Sequence, residues 1–494
     1  MNPAAPKPKE TDSLQLHPEI RARLEQELNE AIESYVLDVP ALRTAPRVTP
    51  QEIRASLAPF DFSQPVDPSR ALQFVVENLR KNQVHPSHPR YFGLFNPSPT
   101  TMGIVADTLV AAFNPQLAVW GHNPFSVEVE RHLIQSLGAL FGYASGEADG
   151  TLATGGSEAN HTALLASLTA AFPDFHEKGL RGLKAQPVFY VSAEGHHSFQ
   201  KMSRLTGLGS EAIREIPVND QLQMDMGILA EQIQKDRKAG YAPFLIVATA
   251  GTTNAGAIDP LPEIAEIAVK EKLWLHADAA WEGALALAPR YRKLLAGIDR
   301  ADSITFDAHK WLSVPVGAGI FLTRHPDILS RTFHISAAYV PPKAEGPGIV
   351  DPIAHSIQWS RRFIGLKIFL SLAVAGWEGY ARNIEHMAAM GNELRRKLAA
   401  SQWAEIFPNP LPIVCFVDAA HREGRSAEYL EAIVREVVAS GDAWISATKL
   451  RRDVPVLRAC ITNFRTGPED LQGLIDSLER ARERMAGRGA GHQP

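Results

Sequence analysis

Ser303-Ile304-Thr305-Phe306-Asp307-Ala308-His309-Lys310-Trp311 is the stretch on which the reading of this chain turns. Its apolar start reads as a short buried strand, and the strand delivers a lysine just past its end. Leu273-Trp274-Leu275-His276-Ala277-Asp278-Ala279-Ala280-Trp281 has the same design, with a carboxylate at the strand's end. An amine and a carboxylate leaving the ends of two neighbouring strands can bracket one planar ring. The amine can form a Schiff base with an aldehyde, and the carboxylate can hold a proton on a ring nitrogen. Pyridoxal 5'-phosphate (PLP) needs that pair. Taken singly, Asp278 also reads as a helix cap or salt-bridge partner, and Lys310 as a surface lysine.

Three further stretches fall at the ends of expected elements. Ala153-Thr154-Gly155-Gly156-Ser157-Glu158-Ala159-Asn160 precedes an apolar helix. Its glycines let the backbone approach a ligand, Ser157 can cap the helix, and the helix end suits a phosphate. A plain Gly-Gly-Ser cap is the other reading. It is not the Walker loop, which needs Gly-Lys-Ser/Thr. Ala193-Glu194-Gly195-His196-His197-Ser198 comes after another strand, where a histidine can stack on a flat ring; a loop pair without ligand is the alternative. Zinc is a third reading, but no third ligand at helical spacing and no His-Glu-x-x-His supports a metal site. Thr249-Ala250-Gly251-Thr252-Thr253 ends a fourth strand and offers hydroxyls, or else is a polar turn. The interval from Asp278 to Lys310 leaves room for one strand–helix–strand unit.

The 494 residues suffice for two or three domains with deep cores, and 45% apolar content is ordinary for a globular chain. A net charge of -5 with scattered Lys and Arg shows no global bias toward nucleic acid or an anionic membrane. No apolar run reaches the roughly 18–20 residues of a membrane span. Met1 to Glu10 shows no apolar block, so no secretory signal is expected there, and this segment and Gly487 to Pro494 read as tails. Two cysteines, Cys415 and Cys460, cannot build a disulfide framework, and a reducing cytoplasm is expected.

Helical spacing marks Pro18–Tyr35 and Ala71–Asn82, with no strand signal among them. Helices are expected at Met102–Phe113 and Ser126–Phe141. Strands at 188–192, 244–249, 273–277, 303–306 and 319–323 then alternate with helices at 157–172, 225–238 and 261–271. Such alternation predicts an α/β fold, a mostly parallel sheet covered on both faces, with chemistry at the strands' carboxyl ends. A long helix from about 360 to 390, bent near Gly376, leads to a small α+β unit with strands at 413–417 and 456–462 and helices at 427–439 and 468–484. The expected division is 1–95, a helical dimerisation segment; 96–385, a large PLP-binding domain; and 386–494, a small C-terminal domain.

His88-Pro89-Arg90-Tyr91-Phe92-Gly93, Thr154 to Asn160, His276-Ala277-Asp278-Ala279-Ala280 and Asp307-Ala308-His309-Lys310-Trp311-Leu312 together resemble the group II PLP-dependent amino-acid decarboxylases. That family includes the aromatic-amino-acid, glutamate and diaminobutyrate decarboxylases. The resemblance runs from about His85 to Thr466. It implies the aspartate-aminotransferase fold (type I), a homodimer with its sites at the subunit interface, PLP as cofactor and a small amino-acid substrate. Carried over by position, Lys310 is the Schiff-base lysine, Asp278 the partner of the ring nitrogen, and Ala280 and His196 the residues on the two ring faces. Gly155, Gly156 and Ser157 become phosphate binders with His309 beside them. Thr253 lies near the ring, and Arg458 near the entrance. Lys310, His196 and Asp278 are the expected catalytic set.

One departure concerns the proton donor. Many relatives carry a loop tyrosine that protonates the substrate carbon after carbon dioxide leaves. An ungapped match back from Arg361 puts Pro352 there, and His355 and Tyr339 are the nearest alternatives. The expectation is an ordinary decarboxylase giving an amine. The alternatives are decarboxylation with oxidative deamination to an aldehyde, and a PLP-binding interaction protein without turnover. Phe92, Phe95 and Trp120 hint at an apolar substrate pocket, but read equally well as core or interface residues.

Overall fold

The computed structural model describes residues 14–335 and 349–490. The tail expected at Met1–Glu10, and Tyr339, lie outside the described residues. A seven-stranded sheet is built from β1 (Asp149–Ala153), β2 (Pro187–Ser192), β3 (Ile213–Ile216), β4 (Ala242–Thr249), β5 (Trp274–Asp278), β6 (Ser303–Asp307) and β7 (Gly319–Thr323). Their order is β1-β7-β6-β5-β4-β2-β3. Neighbours from β3 to β6 pair in parallel, and β7 alone runs antiparallel to both its neighbours. Strands β2, β6 and β7 are buried along their whole length, as a doubly covered sheet requires.

Period-2 alternation divides the strands between two layers. Leu275, Ala277, Ile304 and Phe306 enter the main core with the helices Pro124–Phe141 and Leu261–Glu271. His276, Asp278 and Ser303 lie between these residues in sequence, and a residue of the helix Gly156–Ala171 bonds His276 and Asp278. This alternation brings polar side chains of β5 and β6 onto one face beneath that helix.

A second, antiparallel sheet holds β8 (Trp403–Glu405), β9 (Ile413–Asp418), β10 (Ser446–Leu450) and β11 (Val454–Cys460), in the order β10-β11-β9-β8. The helices Ala427–Ser440 and Pro468–Ala490 accompany it. The helix Gly365–Ala399 reaches both regions and breaks at Gly376, whose φ of 63° is open to a residue without Cβ. At the other end, the helices Pro18–Asp38, Pro50–Leu57 and Pro68–Lys81 bury no residue fully. Leu28, Ile32, Tyr35, Val76 and Leu79 line an open groove of about 440 Å³.

Several expectations need correction. β1, β3, β8 and β10 carry weak apolar signals and are not expected from the sequence. The β5–β6 crossover contains no α-helix; it runs through the 3-10 turns Glu282–Leu287, Arg292–Leu295 and Ile298–Arg300. Glu282–Leu287 is wholly buried and so has no polar face, and Pro289 breaks any continuation of the turn as a helix. The last helix continues through Gly487 to Ala490, so the tail expected from Gly487 begins inside it.

Candidate active site

The carboxyl ends of β4, β5 and β6 meet the amino end of the helix Gly156–Ala171 around a cavity of about 380 Å³. Gly155, Gly156, Ser157, His196, Thr253, Asp278, Ala280, His309 and Lys310 all line it. Nine residues spread over about a third of the chain are thus gathered by the topology of one sheet edge.

Its floor is a helix end without a side-chain cap. Gly155 is the N-cap, and Ser157, expected as the cap, is the second helical residue. The N–H groups of Glu158 and Ala159 bond to the Gly155 carbonyl. The first-turn N–H groups of Gly156 and Ser157 face no partner within the helix, and the helix end is positive. Packing here tolerates no extra atom: a Cβ on Gly156 would lie 2.8 Å from Asp307 Oδ2, and one on Gly319 2.6 Å from Gly155 backbone. His309 stands beside Gly155, and its Nδ1 accepts the Ala318 N–H at 3.2 Å. Burial lowers the pKa of His309 and favours the neutral ring.

Lys310 Nζ lies 3.0 Å from Asp307 Oδ2, and Asp307 is almost fully buried. The amine is also 5.7 Å from the centroid of Phe95. The Arg458 guanidinium covers the same ring at 5.0 Å and is fixed by donating from Nε to the Thr253 carbonyl at 2.9 Å and from Nη1 to the Gly93 carbonyl at 2.6 Å. Trp281 packs on Phe95 and donates to the Gly251 carbonyl. Phe95 therefore belongs to the site's surroundings. Phe92 lies fully in the core, and Trp120 packs against that core and donates to Glu128.

Asp278 Oδ2 accepts from Asn160 Nδ2 at 2.9 Å, and Oδ1 from the Ala280 N–H at 3.3 Å. His196 Nδ1 accepts the Ser198 N–H, which leaves its proton on Nε2. Burial is the main cause that lowers the His196 pKa, with Asp278 acting in the opposite sense. The set fits PLP by its chemistry: an amine for the aldehyde, an uncapped helix end for the phosphate, a carboxylate for the ring nitrogen, and a neutral imidazole.

Asp307, Asn160 and His276 stand inside the sequence motifs, but the sequence alone assigns them no role. Asp307 lies three residues before Lys310, Asn160 one turn into the helix from Gly156, and His276 two residues before Asp278 on one strand face. That spacing is the signal that could have found them. Pro352, matched to the family's loop-tyrosine position, lies apart from this cavity within the chain. Pro352 starts the buried 3-10 turn Pro352–Ala354, and with His355 it lines a different cavity against β1. His355 Nε2 lies 3.4 Å from Asp149 Oδ2. Neither residue lines the Lys310 cavity.

Comparison with known proteins agrees with this geometry. Residues 50–418 match the family described as the pyridoxal-dependent decarboxylase conserved domain. The chain is 31% identical over 427 residues to an aromatic-L-amino-acid decarboxylase of Bacillus atrophaeus, covering 85% of this chain and 86% of that one. It is 30% identical over 422 residues to an L-2,4-diaminobutyrate decarboxylase of Acinetobacter baumannii, covering 81% of each. Among solved structures, mouse CSAD superposes with a TM-score of 0.86 at 25% identity, covering 93% of this chain and 98% of that one. The fold and site define a PLP enzyme of fold type I. The chain belongs to the pyridoxal-dependent decarboxylases, a family of PLP-dependent carboxy-lyases that act on amino acids. No helix among the described residues is long and apolar enough to cross a membrane.

Proposed function

We propose that this enzyme removes the α-carboxylate of an L-amino acid and releases the corresponding amine. The observation that carries the reading is the convergence of Lys310, Asp278 and an uncapped helix end on one cavity. Bound PLP supplies an electron-withdrawing ring that takes up the electron pair left when carbon dioxide departs. The chain's own residues do the rest. Gly155, Gly156 and Ser157, with His309 beside them, hold the phosphate by backbone N–H groups. Asp278 keeps a proton on the ring nitrogen by a charge-assisted hydrogen bond. His196 and Ala280 would hold the ring between them, and Thr253 lines the same cavity. Asp307 orients the Lys310 amine that carries the cofactor. Phe95 and Trp281 pack beside the cavity and help keep it dry, and the buried Arg458 covers the same Phe95 ring.

His355 and Tyr339 are the candidates nearest the loop position, and we assign Tyr339 to deliver the proton that completes the amine. The curated relatives are named as decarboxylases, which favours the amine over the aldehyde-forming alternative. We also propose a homodimer in which residues 1–95 serve as the dimerisation segment, 96–385 as the PLP-binding domain and 386–494 as the small domain. The exposed apolar groove of the first helices supports this assignment. A reducing cytoplasm is consistent with Cys415 and Cys460, which are buried and free. The test is carbon dioxide release from a panel of L-amino acids, with amine, aldehyde, peroxide and oxygen uptake measured together. One amine per carbon dioxide without oxygen uptake is expected. Stoichiometric aldehyde and peroxide would replace this reading by the oxidative one. The same panel identifies the preferred side chain.

A further inference from the structure

Behind Asp278 lies a buried chain of hydrogen bonds that the proposed reaction leaves without a role. Trp274 Nε1 donates to Ser303 Oγ at 2.9 Å. Ser303 Oγ is 2.9 Å from His276 Nδ1, and His276 Nε2 is 3.2 Å from Asn160 Oδ1. Asn160 Nδ2 donates to Asp278 Oδ2 at 2.9 Å and to Ser198 Oγ at 3.0 Å. Asn160, His276, Ser303 and Asp278 are all at most 5% exposed. Trp274, His276 and Asp278 are alternate residues of β5 and share a face, and His276 is in register with Ser303 of β6.

Chemistry fixes the direction of every bond in this chain. The amide nitrogen of Asn160 donates to Asp278, so its oxygen faces His276. That oxygen only accepts, so His276 carries its proton on Nε2. Burial pushes the His276 pKa down to about 4, so the ring is neutral and Nδ1 is an acceptor. The Ser303 hydroxyl must then donate to Nδ1, while its oxygen accepts from Trp274, whose indole can only donate. All four donors point the same way and end on Asp278 Oδ2. Hydrogen bonds aligned in this manner polarise one another in a low-dielectric interior.

We infer that Trp274, Ser303, His276 and Asn160 form a positioning relay that holds the Asp278 carboxylate turned toward the cavity, and so sets how firmly the cofactor's ring nitrogen stays protonated. This rests on the proposed role of Asp278 toward that nitrogen. Residues at the amino ends of β5 and β6 thereby act on chemistry at the carboxyl ends. Oδ2 is held by the relay, while Oδ1 has only the weaker Ala280 contact.

The test uses holoenzyme reconstituted with PLP carrying 15N in the ring, with the ring-nitrogen chemical shift as readout beside kcat and thermal midpoint. Asn160→Leu removes the last donor, and His276→Phe removes one step earlier. Both should move the 15N shift toward the unprotonated value and lower kcat, by about tenfold or more for Asn160→Leu and less for His276→Phe. Borohydride should still attach the cofactor to Lys310 in both. If Asn160→Leu does not fold, His276→Phe and the milder Ser303→Ala carry the test, with the smaller shift expected for Ser303→Ala. Parental 15N shifts in the folded variants, whatever their thermal midpoints, would overturn the relay. Asp278→Asn separates the two ideas. If it moves the shift and the relay variants do not, the relay alone fails. If Asp278→Asn leaves the shift unchanged, the reading of Asp278 itself fails.

Discussion

Asp278 and Arg361 are both charged and both almost fully buried, at 5% and 4% exposure, yet their neighbours treat them differently. Both oxygens of Asp278 accept hydrogen bonds, and behind one of them stands an ordered line of donors. Arg361 has one carboxylate, Glu130, at 2.6 Å, while its Nε and Nη1 find no hydrogen-bond partner among the described residues. His355 Nδ1 and Asp149 Oδ2 around the same cavity are in the same state. That cavity of about 240 Å³ is polar and roomy enough for ordered water. A buried charge that works on a cofactor is held by fixed dipoles that need not move. A buried charge that joins elements can be balanced by one counter-ion. The difference places chemistry at the carboxyl edge of the sheet and structural bracing beside β1.

The comparison can be broken in five places. Lys310→Ala should have the largest effect, a loss of at least about three orders of magnitude in carbon dioxide release, since no other lysine among the described residues lines the cavity. Asp278→Asn should bind PLP but lose roughly two orders of magnitude or more in kcat, because a neutral amide cannot hold the ring proton by a charge-assisted bond. Near-normal turnover would make Asp278 a structural residue like Arg361. Arg361→Leu should do the opposite: it leaves Glu130 buried and unpaired and costs about 3–5 kcal/mol of stability in chemical denaturation. Its kcat per folded molecule should stay within about twofold.

Acid should weaken the fold through histidines that the interior keeps neutral. Burial lowers the pKa of both His88 and His276 to about 4, against an ordinary value near 6.5. Between those values the unfolded chain binds more protons than the folded one. Stability should therefore be full above about pH 6.5 and fall as pH drops toward 4. Urea titrations across that range check the sign, and a His276→Phe variant should show a shallower decline. The smallest effect is expected from His355→Ala. Its ring contacts Asp149 away from Lys310, so the amine yield should be unchanged; a drop in amine with a rise in aldehyde would return His355 to the site.

The fully buried strands are legible as apolar runs, and so are the helices with a clear polar face. β1, Asp-Gly-Thr-Leu-Ala, is not, because its burial comes from β7 beside it and from the helix Pro124–Phe141. β3 and β10 lie at sheet edges, where alternate polar residues dilute the signal. Gly155, Gly156, Asp278 and Lys310 can be assembled from sequence since each sits at or just beyond an element's end, where an α/β sheet gathers its ligands. The partners of Asp278 cannot. Asn160 and Asp278 are 118 residues apart, and only the packing of a helix across β5 makes them neighbours. The ungapped match that puts Pro352 at the loop position carries no information about which wall the chain runs along, and within one chain Pro352 lines a different cavity from Lys310.

The central claim is that Lys310 carries the cofactor within a site whose opposite pole is Asp278. Borohydride reduction of the yellow holoenzyme, with peptide mapping of the product, tests it most directly. The account predicts a pyridoxyl group on Lys310, in the peptide containing Asp307-Ala308-His309-Lys310-Trp311. Label on any other lysine, or no label on a PLP-loaded and active enzyme, would contradict it.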